Sequence, residues 1–129
     1  MTLIKQNKPT ESELEILQVL WQEETATVRT VHEALSKTKD SGYTTTLKLM
    51  QIMFEKGLVT RDESRKTHIY IPAVSREKTQ KQFLNRMIDT LFAGSPASLV
   101  LQALGGHAAS EEELEKIQVL INDLKKNSK

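Results

Sequence analysis

The chain has 129 residues, of which 38% are hydrophobic and 27% charged, with a formal net charge of +1 and no cysteine. This composition predicts a folded globular protein of one domain, or of one domain with a helical appendage, rather than a disordered chain. The lack of cysteine excludes disulfides, iron–sulfur clusters and thiolate metal sites, and it fits a reducing cytoplasm.

The first two predicted elements are helices that begin at threonines. Thr10 and Glu13 have the spacing of a capping box, in which each side chain bonds a free backbone amide at the helix start. Apolar residues then recur at helical spacing, at Leu14, Leu17, Leu20 and Trp21. Thr27 can cap a second, short helix with the apolar stripe Val28, Val31 and Leu35. We interpret Trp21 as a core residue.

A third helix is predicted from about Thr44 to Gly57, where glycine can take the left-handed conformation that ends a helix. At 100° per residue its core side is Thr46, Leu49, Met50, Met53 and Phe54. Its opposite side is Thr44, Lys48, Gln51 and Glu55, with Thr45 on the flank. This helix therefore has one apolar face and one polar face that begins with threonines.

Two short β-prone runs, residues 58–62 and 66–71, flank a charged turn and predict a β-hairpin. Pro72 ends the second run, because proline has no amide hydrogen for a strand ladder.

Three more helices are predicted after the hairpin. Ser75 can cap the first, Gly94 ends it, and Ser95-Pro96 is a cap followed by proline at the first helical position. Ser110 and Glu113 form a second capping-box candidate, at the start of the last helix. The apolar positions of these helices are Leu84, Met87, Ile88, Leu91, Leu99, Val100, Ala103, Leu104, Leu114, Ile117, Ile121 and Leu124.

This apolar set needs a partner surface, since each aliphatic side chain contributes roughly 1.5–3 kcal/mol when it is fully buried. A second copy of the chain is the favoured partner, and an intramolecular bundle is the alternative. The region from Thr90 to Ser110 has no charged residue, but Gly94, Ser95, Pro96 and Gln102 interrupt it. It is not expected to insert into a membrane, and the polar N-terminus "MTLIKQNKPT" is not expected to be a signal peptide.

Three helices followed by a two-stranded hairpin is the order of a winged helix, a mainly α fold in which the third helix enters the major groove of duplex DNA. We predict a winged-helix DNA-binding domain at residues 1–73 and a helical dimerisation domain at 74–129. The candidate DNA-binding residues are Tyr43, Thr44, Thr45, Lys48, Gln51, Arg61, Arg65 and Lys66.

Several of these residues have a purely structural alternative. Thr44 or Thr45 could cap the helix, and Tyr43 could be a packing residue before it. Lys48 and Gln51 could be ordinary solvent-facing residues, and the hairpin cations could be ordinary turn charges.

Other classes of function also stay open at this point. A winged helix can respond to a small molecule or serve as a protein-interaction module. An enzyme is not expected, because the sequence has no Ser–His–acid order, no metal-ligand cluster and no phosphate-binding glycine loop. His32, His68 and His107 lack ligand spacing, so no metal or cofactor is predicted.

The segments "PTESELEILQVLW", "TVRTVHEALS", "GYTTTLKLMQIMFEKGLVTRDE" and "HIYIP", followed by "GSPASLVLQAL" and "SEEELEKIQVLI", closely resemble the penicillinase repressor family. The resemblance runs from Pro9 to about Leu124. It implies a cytoplasmic homodimeric repressor that binds palindromic operator DNA and commonly controls β-lactam resistance genes and their sensor. It also implies base contacts from the third helix, here at Thr44, Thr45, Leu47 and Lys48.

The sequence departs from the β-lactam branch of this family in two ways. Those repressors are inactivated by cleavage of an Asn-Phe bond, where this chain has Gln102-Ala103. Either a sensor-linked protease of different preference cuts there, or cleavage is not the off-switch. The copper-sensing branch holds metal with C-terminal cysteines, which this chain lacks.

Overall fold

The computed structural model describes residues 8–128, in which three helices, a hairpin and three further helices follow one another as predicted. The elements are α1 (Glu11–Glu23), α2 (Val28–Leu35), α3 (Tyr43–Lys56), β1 (Val59–Asp62), β2 (Ile69–Pro72), α4 (Arg76–Leu91), α5 (Pro96–Gly106) and α6 (Glu111–Asn127). The predicted mainly α fold class is therefore confirmed. Residues 1–7, part of the segment for which no signal peptide is predicted, lie outside the described residues.

Backbone contacts divide the chain into two compact units, an N-terminal unit up to Gln80 and a C-terminal unit from Lys81. The division falls within α4, so the functional boundary predicted at residue 73 stays a prediction.

The starts of α1 and α2 confirm the predicted threonine caps. The Thr10 amide donates to Glu13 Oε1 at 2.9 Å, and the Glu13 amide donates to Thr10 Oγ1 at 3.2 Å, which completes the capping box. The Thr27 hydroxyl accepts from the Thr30 amide at 3.1 Å. These bonds satisfy amides that have no partner within their own helix.

The start of α3 does not fit the alternative in which Thr44 or Thr45 caps the helix. Its N-cap is Gly42, without a side-chain capping bond, and the helix starts at Tyr43. Thr44 and Thr45 are therefore inside the first turn and do not cap it. The predicted end is confirmed, because Gly57 takes φ +83° and its amide donates to the Met53 and Phe54 carbonyls.

The hairpin pairs β1 with β2 in antiparallel register, with Arg61 opposite Tyr70 and Val59 opposite Pro72. Pro72 therefore lies within β2, at its last position, rather than beyond it. Ala26, between α1 and α2, adds an isolated antiparallel bridge to Tyr70, with backbone bonds of 3.1 and 2.8 Å. This bridge ties the hairpin to the helical part of the N-terminal unit.

The core of the N-terminal unit draws on all of its predicted elements. Its buried apolar residues are Ile16, Leu17, Leu20, Ala26, Val28, Val31, Met50, Met53, Leu58, Val59 and Tyr70. Trp21 packs against this core and donates its indole N–H to the Val74 carbonyl at 2.9 Å. The prediction that Phe54 belongs to the core side of α3 is wrong, since its side chain is 37% exposed and lies under the Arg61 guanidinium.

An ion pair joins α1 to α3 at the edge of this core. Lys56 Nζ lies 2.7 Å from Glu13 Oε1, and the Glu13 side chain is only 3% exposed. The same carboxylate accepts the Thr10 amide, so its charge is compensated from two directions. The pair fixes the end of α3 against the start of α1.

The C-terminal unit contains most of α4 together with α5 and α6. The predicted caps are confirmed: Ser75 accepts from Lys78, Ser95 accepts from Ser98 with proline next to it, and Ser110 and Glu113 form a capping box. The segment "GGHAA" predicts a break before the last helix. Gly105 and Gly106 are still part of α5, and the break begins at His107, the C-cap. Over residues 81–128 no apolar side chain is fully buried.

Within residues 8–128, no single helix is both long and apolar enough to cross a membrane. Helices α4 and α5 reach that length and composition only as a pair, and the pair is bent by 101°.

Candidate nucleic-acid interface

The first turns of α3 present a polar face to solvent. Thr44, Thr45 and Lys48 are all exposed. Among the side chains described, these three form no hydrogen bond or ion pair with the rest of the chain. Their two hydroxyls and one ammonium are therefore available to an external ligand.

A groove of about 450 Å³ lies beside this face, between α3 and the hairpin. Tyr43, Leu47 and Gln51, spaced one helical turn apart, line one wall. The opposite wall is formed by the end of the hairpin turn, at Lys66, Thr67 and His68. The structure thus brings Tyr43, Leu47, Gln51, Arg61 and Lys66, five of the predicted residues, to one groove, with Thr44, Thr45 and Lys48 on the adjoining face.

Tyr43 connects α3 to α2 in this groove. Its ring meets His32 edge-on, with centroids 5.7 Å apart, and the Arg29 guanidinium lies 5.8 Å from the Tyr43 ring centroid. The ring is nevertheless 42% exposed. Tyr43 is thus both a packing residue and an accessible one, so the two interpretations of this position are compatible.

Helix α2 also contributes to the groove, which the sequence analysis does not predict. Thr27, Val28 and Arg29 line it at the start of that helix. The available signal was Arg29, the one basic residue among six acidic ones between Glu11 and Glu33. The groove is cationic, since the described residues that line it include Arg29, Arg61 and Lys66 and no acidic side chain.

The acidic residues of the hairpin form hydrogen bonds with nearby hairpin residues, whereas the cations of the turn are exposed. Asp62 Oδ1 accepts the Ser64 amide at 3.0 Å, and this bond lowers the pKa of Asp62 below its usual value. Arg65 and Lys66 are exposed and form no ion pair with any described residue. Arg65 lies outside the groove wall, at the turn itself.

Arg61 differs from these cations, because its guanidinium is already bonded within the chain. It donates from Nε to Glu63 and from Nη1 to the Tyr70 hydroxyl at 3.3 Å. The bond to Glu63, followed by that to Tyr70, raises the pKa of Arg61 above its usual value, and the Arg61 bond lowers the pKa of Glu63.

No group of three or more His, Asp or Glu side chains among residues 8–128 has the arrangement of a metal site. The candidate interface consists instead of hydroxyl, ammonium, guanidinium and amide groups on the exposed face of α3 and in the neighbouring groove.

The sequence also matches known proteins over most of its length. Residues 9–123 match the family model described as penicillinase repressor. The chain is 25% identical over 115 residues to the methicillin resistance regulatory protein MecI of Staphylococcus aureus, covering 86% of this chain and 90% of MecI. It is 23% identical over 126 residues to the penicillinase repressor of Staphylococcus aureus, covering 95% and 97% of the two chains.

Two further comparisons each cover part of the chain. The transcriptional regulator BlaI of Mycobacterium tuberculosis is 38% identical over 64 residues, which cover 49% of this chain and 46% of BlaI. The solution structure of the DNA-binding domain of the repressor BlaI superimposes with a TM-score of 0.50 at 24% identity, covering 59% of this chain and 90% of that domain. This structural match shows the winged-helix fold.

Proposed function

The chain belongs to the penicillinase repressor family, and we propose that it is a transcriptional repressor that binds a two-fold symmetric operator as a homodimer. The observation that carries the proposal is the position of the exposed threonine face of α3 beside a cationic groove shared with α2 and the hairpin. One helix face and two flanking cationic elements match the surface that duplex DNA requires.

We assign base reading to the first turns of α3. The major groove is about 12 Å wide and admits an α-helix. Threonine hydroxyls can bond base edges, threonine methyls can contact a thymine methyl, and a lysine ammonium can bond guanine O6 and N7. Thr44, Thr45 and Lys48 carry these groups without internal partners, and Leu47 adds an apolar contact beside them.

We assign backbone contacts to the elements on either side of α3. Arg65 and Lys66 in the hairpin turn and Arg29 in α2 are exposed cations. Cations of this kind bond phosphates, which orients a protein on the duplex and supplies affinity without sequence preference. Tyr43 and Gln51, in the groove wall, complete the proposed contact set.

The exposed apolar side chains of the C-terminal unit support the homodimer. Eight predicted dimerisation residues are large and exposed in the single chain: Leu84, Met87, Leu91, Val100, Leu104, Leu114, Ile121 and Leu124. Ala103 is also exposed, and Ile88, Leu99 and Ile117 are half-buried. Large exposed apolar surfaces are typical of sites that bind another protein. A symmetric pair would bury it and would match two operator half-sites.

The similarity to MecI and to the staphylococcal penicillinase repressor supports β-lactam resistance or related genes as the targets. A sensor-linked protease is the corresponding candidate partner. The Gln102-Ala103 bond lies inside α5 with both residues exposed, so a protease would have to unwind this part of the helix to cut it.

Footprinting of the DNA upstream of the protein's own gene, followed by binding titrations at several salt concentrations, tests the proposal. We expect a protected site with two-fold symmetry, a stoichiometry of two chains, and affinity that falls steeply with salt because phosphate contacts release counterions.

A protein-interaction module would give neither protection nor salt-dependent retardation of random duplex DNA. A repressor controlled by a small molecule would bind DNA in the same way and release it on addition of a compound without any protease. Absence of salt-dependent DNA binding would overturn the proposed function.

A further inference from the structure

We propose that Arg61 is a positioning residue, which holds the hairpin against the C-terminal half of α3 so that the hairpin cations meet the DNA backbone. The inference rests on the proposed DNA-binding function. It assigns Arg61 a role different from the direct DNA contact that the sequence predicts.

Arg61 joins three parts of the N-terminal unit through one guanidinium group. The group lies 4.0 Å from the ring centroid of Phe54, on α3. It donates to the hydroxyl of Tyr70, on β2, at 3.3 Å, and to the carboxylate of Glu63, in the hairpin turn. A cation over an aromatic ring and a bonded carboxylate are both attractive contacts that depend on orientation.

Tyr70, one of the residues that Arg61 contacts, is fixed in the core. Tyr70 is only 1% exposed, and its backbone exchanges two hydrogen bonds with Ala26. Arg61 and Tyr70 are also direct neighbours in the strand register. Arg61 therefore connects the less buried Glu63 and Phe54 to a fixed point in the core.

Arg61 is less available to phosphate than the other hairpin cations. Its side chain is 20% exposed, and two of its five N–H donors, on Nε and Nη1, are already bonded to Glu63 and Tyr70. Arg65 and Lys66, by contrast, are exposed with no internal ion pair among the described residues. We therefore assign the positioning role to Arg61 and the phosphate contacts to Arg65 and Lys66.

The direction in which Glu63→Gln changes operator affinity distinguishes a positioning role of Arg61 from a direct contact with DNA. The change removes a negative charge beside a DNA-binding surface, so electrostatics alone predicts binding that is unchanged or tighter. If Arg61 positions the hairpin, the weaker bond to glutamine loosens it and operator affinity falls, by about threefold or more. Phe54→Leu, which changes no charge, should also weaken operator binding by about threefold or more, and it should lower the salt slope because the hairpin cations then lose phosphate contacts.

A third comparison uses Arg61→Ala in two backgrounds. In the otherwise wild-type chain it should weaken operator binding. In a chain that already carries Arg65→Ala and Lys66→Ala it should have little further effect, because the contacts that it positions are absent. An equal loss in both backgrounds, with the salt slope lowered by about 0.9 per contact even in the chain that lacks Arg65 and Lys66, would show direct contact and overturn the proposal. Tighter binding by Glu63→Gln would overturn it as well.

Amide hydrogen exchange of the hairpin, measured without DNA, distinguishes failure of this inference from failure of the proposed function. Exchange at the hairpin amides should accelerate in Phe54→Leu and Glu63→Gln, while the α1 core amides keep their protection. If the wild-type chain binds no DNA but these amides respond, the proposed function fails and the positioning contact stands. Unchanged hairpin exchange in both variants would overturn the positioning role.

Discussion

Lys48→Ala tests the base-reading role of α3. The Lys48 side chain is exposed and has no partner among the described residues, so its removal should change the free energy of unfolding by less than about 0.5 kcal/mol. A good base contact contributes roughly 1–3 kcal/mol of discrimination. A symmetric dimer carries two copies, so operator affinity should fall about 30-fold or more if the two losses add.

The assay is a fluorescence anisotropy titration of labelled operator and of a random duplex of the same length, in matched salt. Lys48→Ala should lower the ratio of operator to random affinity. Arg65→Ala is the matched control, because a lost phosphate contact weakens both duplexes about equally and lowers the salt slope by about 0.9 per contact. An unchanged affinity ratio for Lys48→Ala would refute its base-reading role.

The remaining predictions concern assembly and stability. Leu124→Glu should weaken the dimer about tenfold or more in sedimentation equilibrium, since it places a charge in the apolar stripe; Gln118→Glu, on the same helix, should not, and an equal loss in both would contradict the assigned stripe. Lys56→Met should lower the free energy of unfolding by about 1–3 kcal/mol in urea denaturation, because Glu13 is then buried without its counterion; unchanged stability would show that the pair contributes nothing. The pKa of Asp62 is lowered in the folded chain, so its stabilising contribution is present above the unfolded value of about 4 and is lost as pH falls through the folded value. Asp62→Asn should therefore flatten the acid side of the melting-temperature profile, and an unchanged profile would contradict that contribution.

The order of elements was predictable because each boundary is encoded locally. The Thr10–Glu13 box, the Thr27 cap and the Gly57 end depend on neighbouring residues alone, and all three occur in the structure. The end of α5 was not predictable from its glycines, because Gly105 and Gly106 lower helix propensity without forbidding helix.

The candidate site was only partly predictable, because its shape depends on tertiary contacts. Helical periodicity placed Thr44, Thr45 and Lys48 on one exposed face of α3. The pairing of Arg61 with Tyr70 depends on strand register, which composition does not specify. The contact of the Arg61 guanidinium with the Phe54 ring depends on how the hairpin packs against α3, and the contribution of Arg29 depends on how α2 lies beside α3.

Affinity cleavage from a single introduced cysteine tests the placement of α3 most directly, and the natural chain has no cysteine to interfere. An iron chelate attached at Thr45→Cys should cut within each operator half-site, at positions related by the two-fold axis and offset as expected for a probe in the major groove. The same chelate at Gln18→Cys, on the exposed side of α1, is the control and should cut weakly or not at all. Equal cutting from both positions, or strong cutting from Gln18→Cys alone, would contradict the placement of α3 in the major groove.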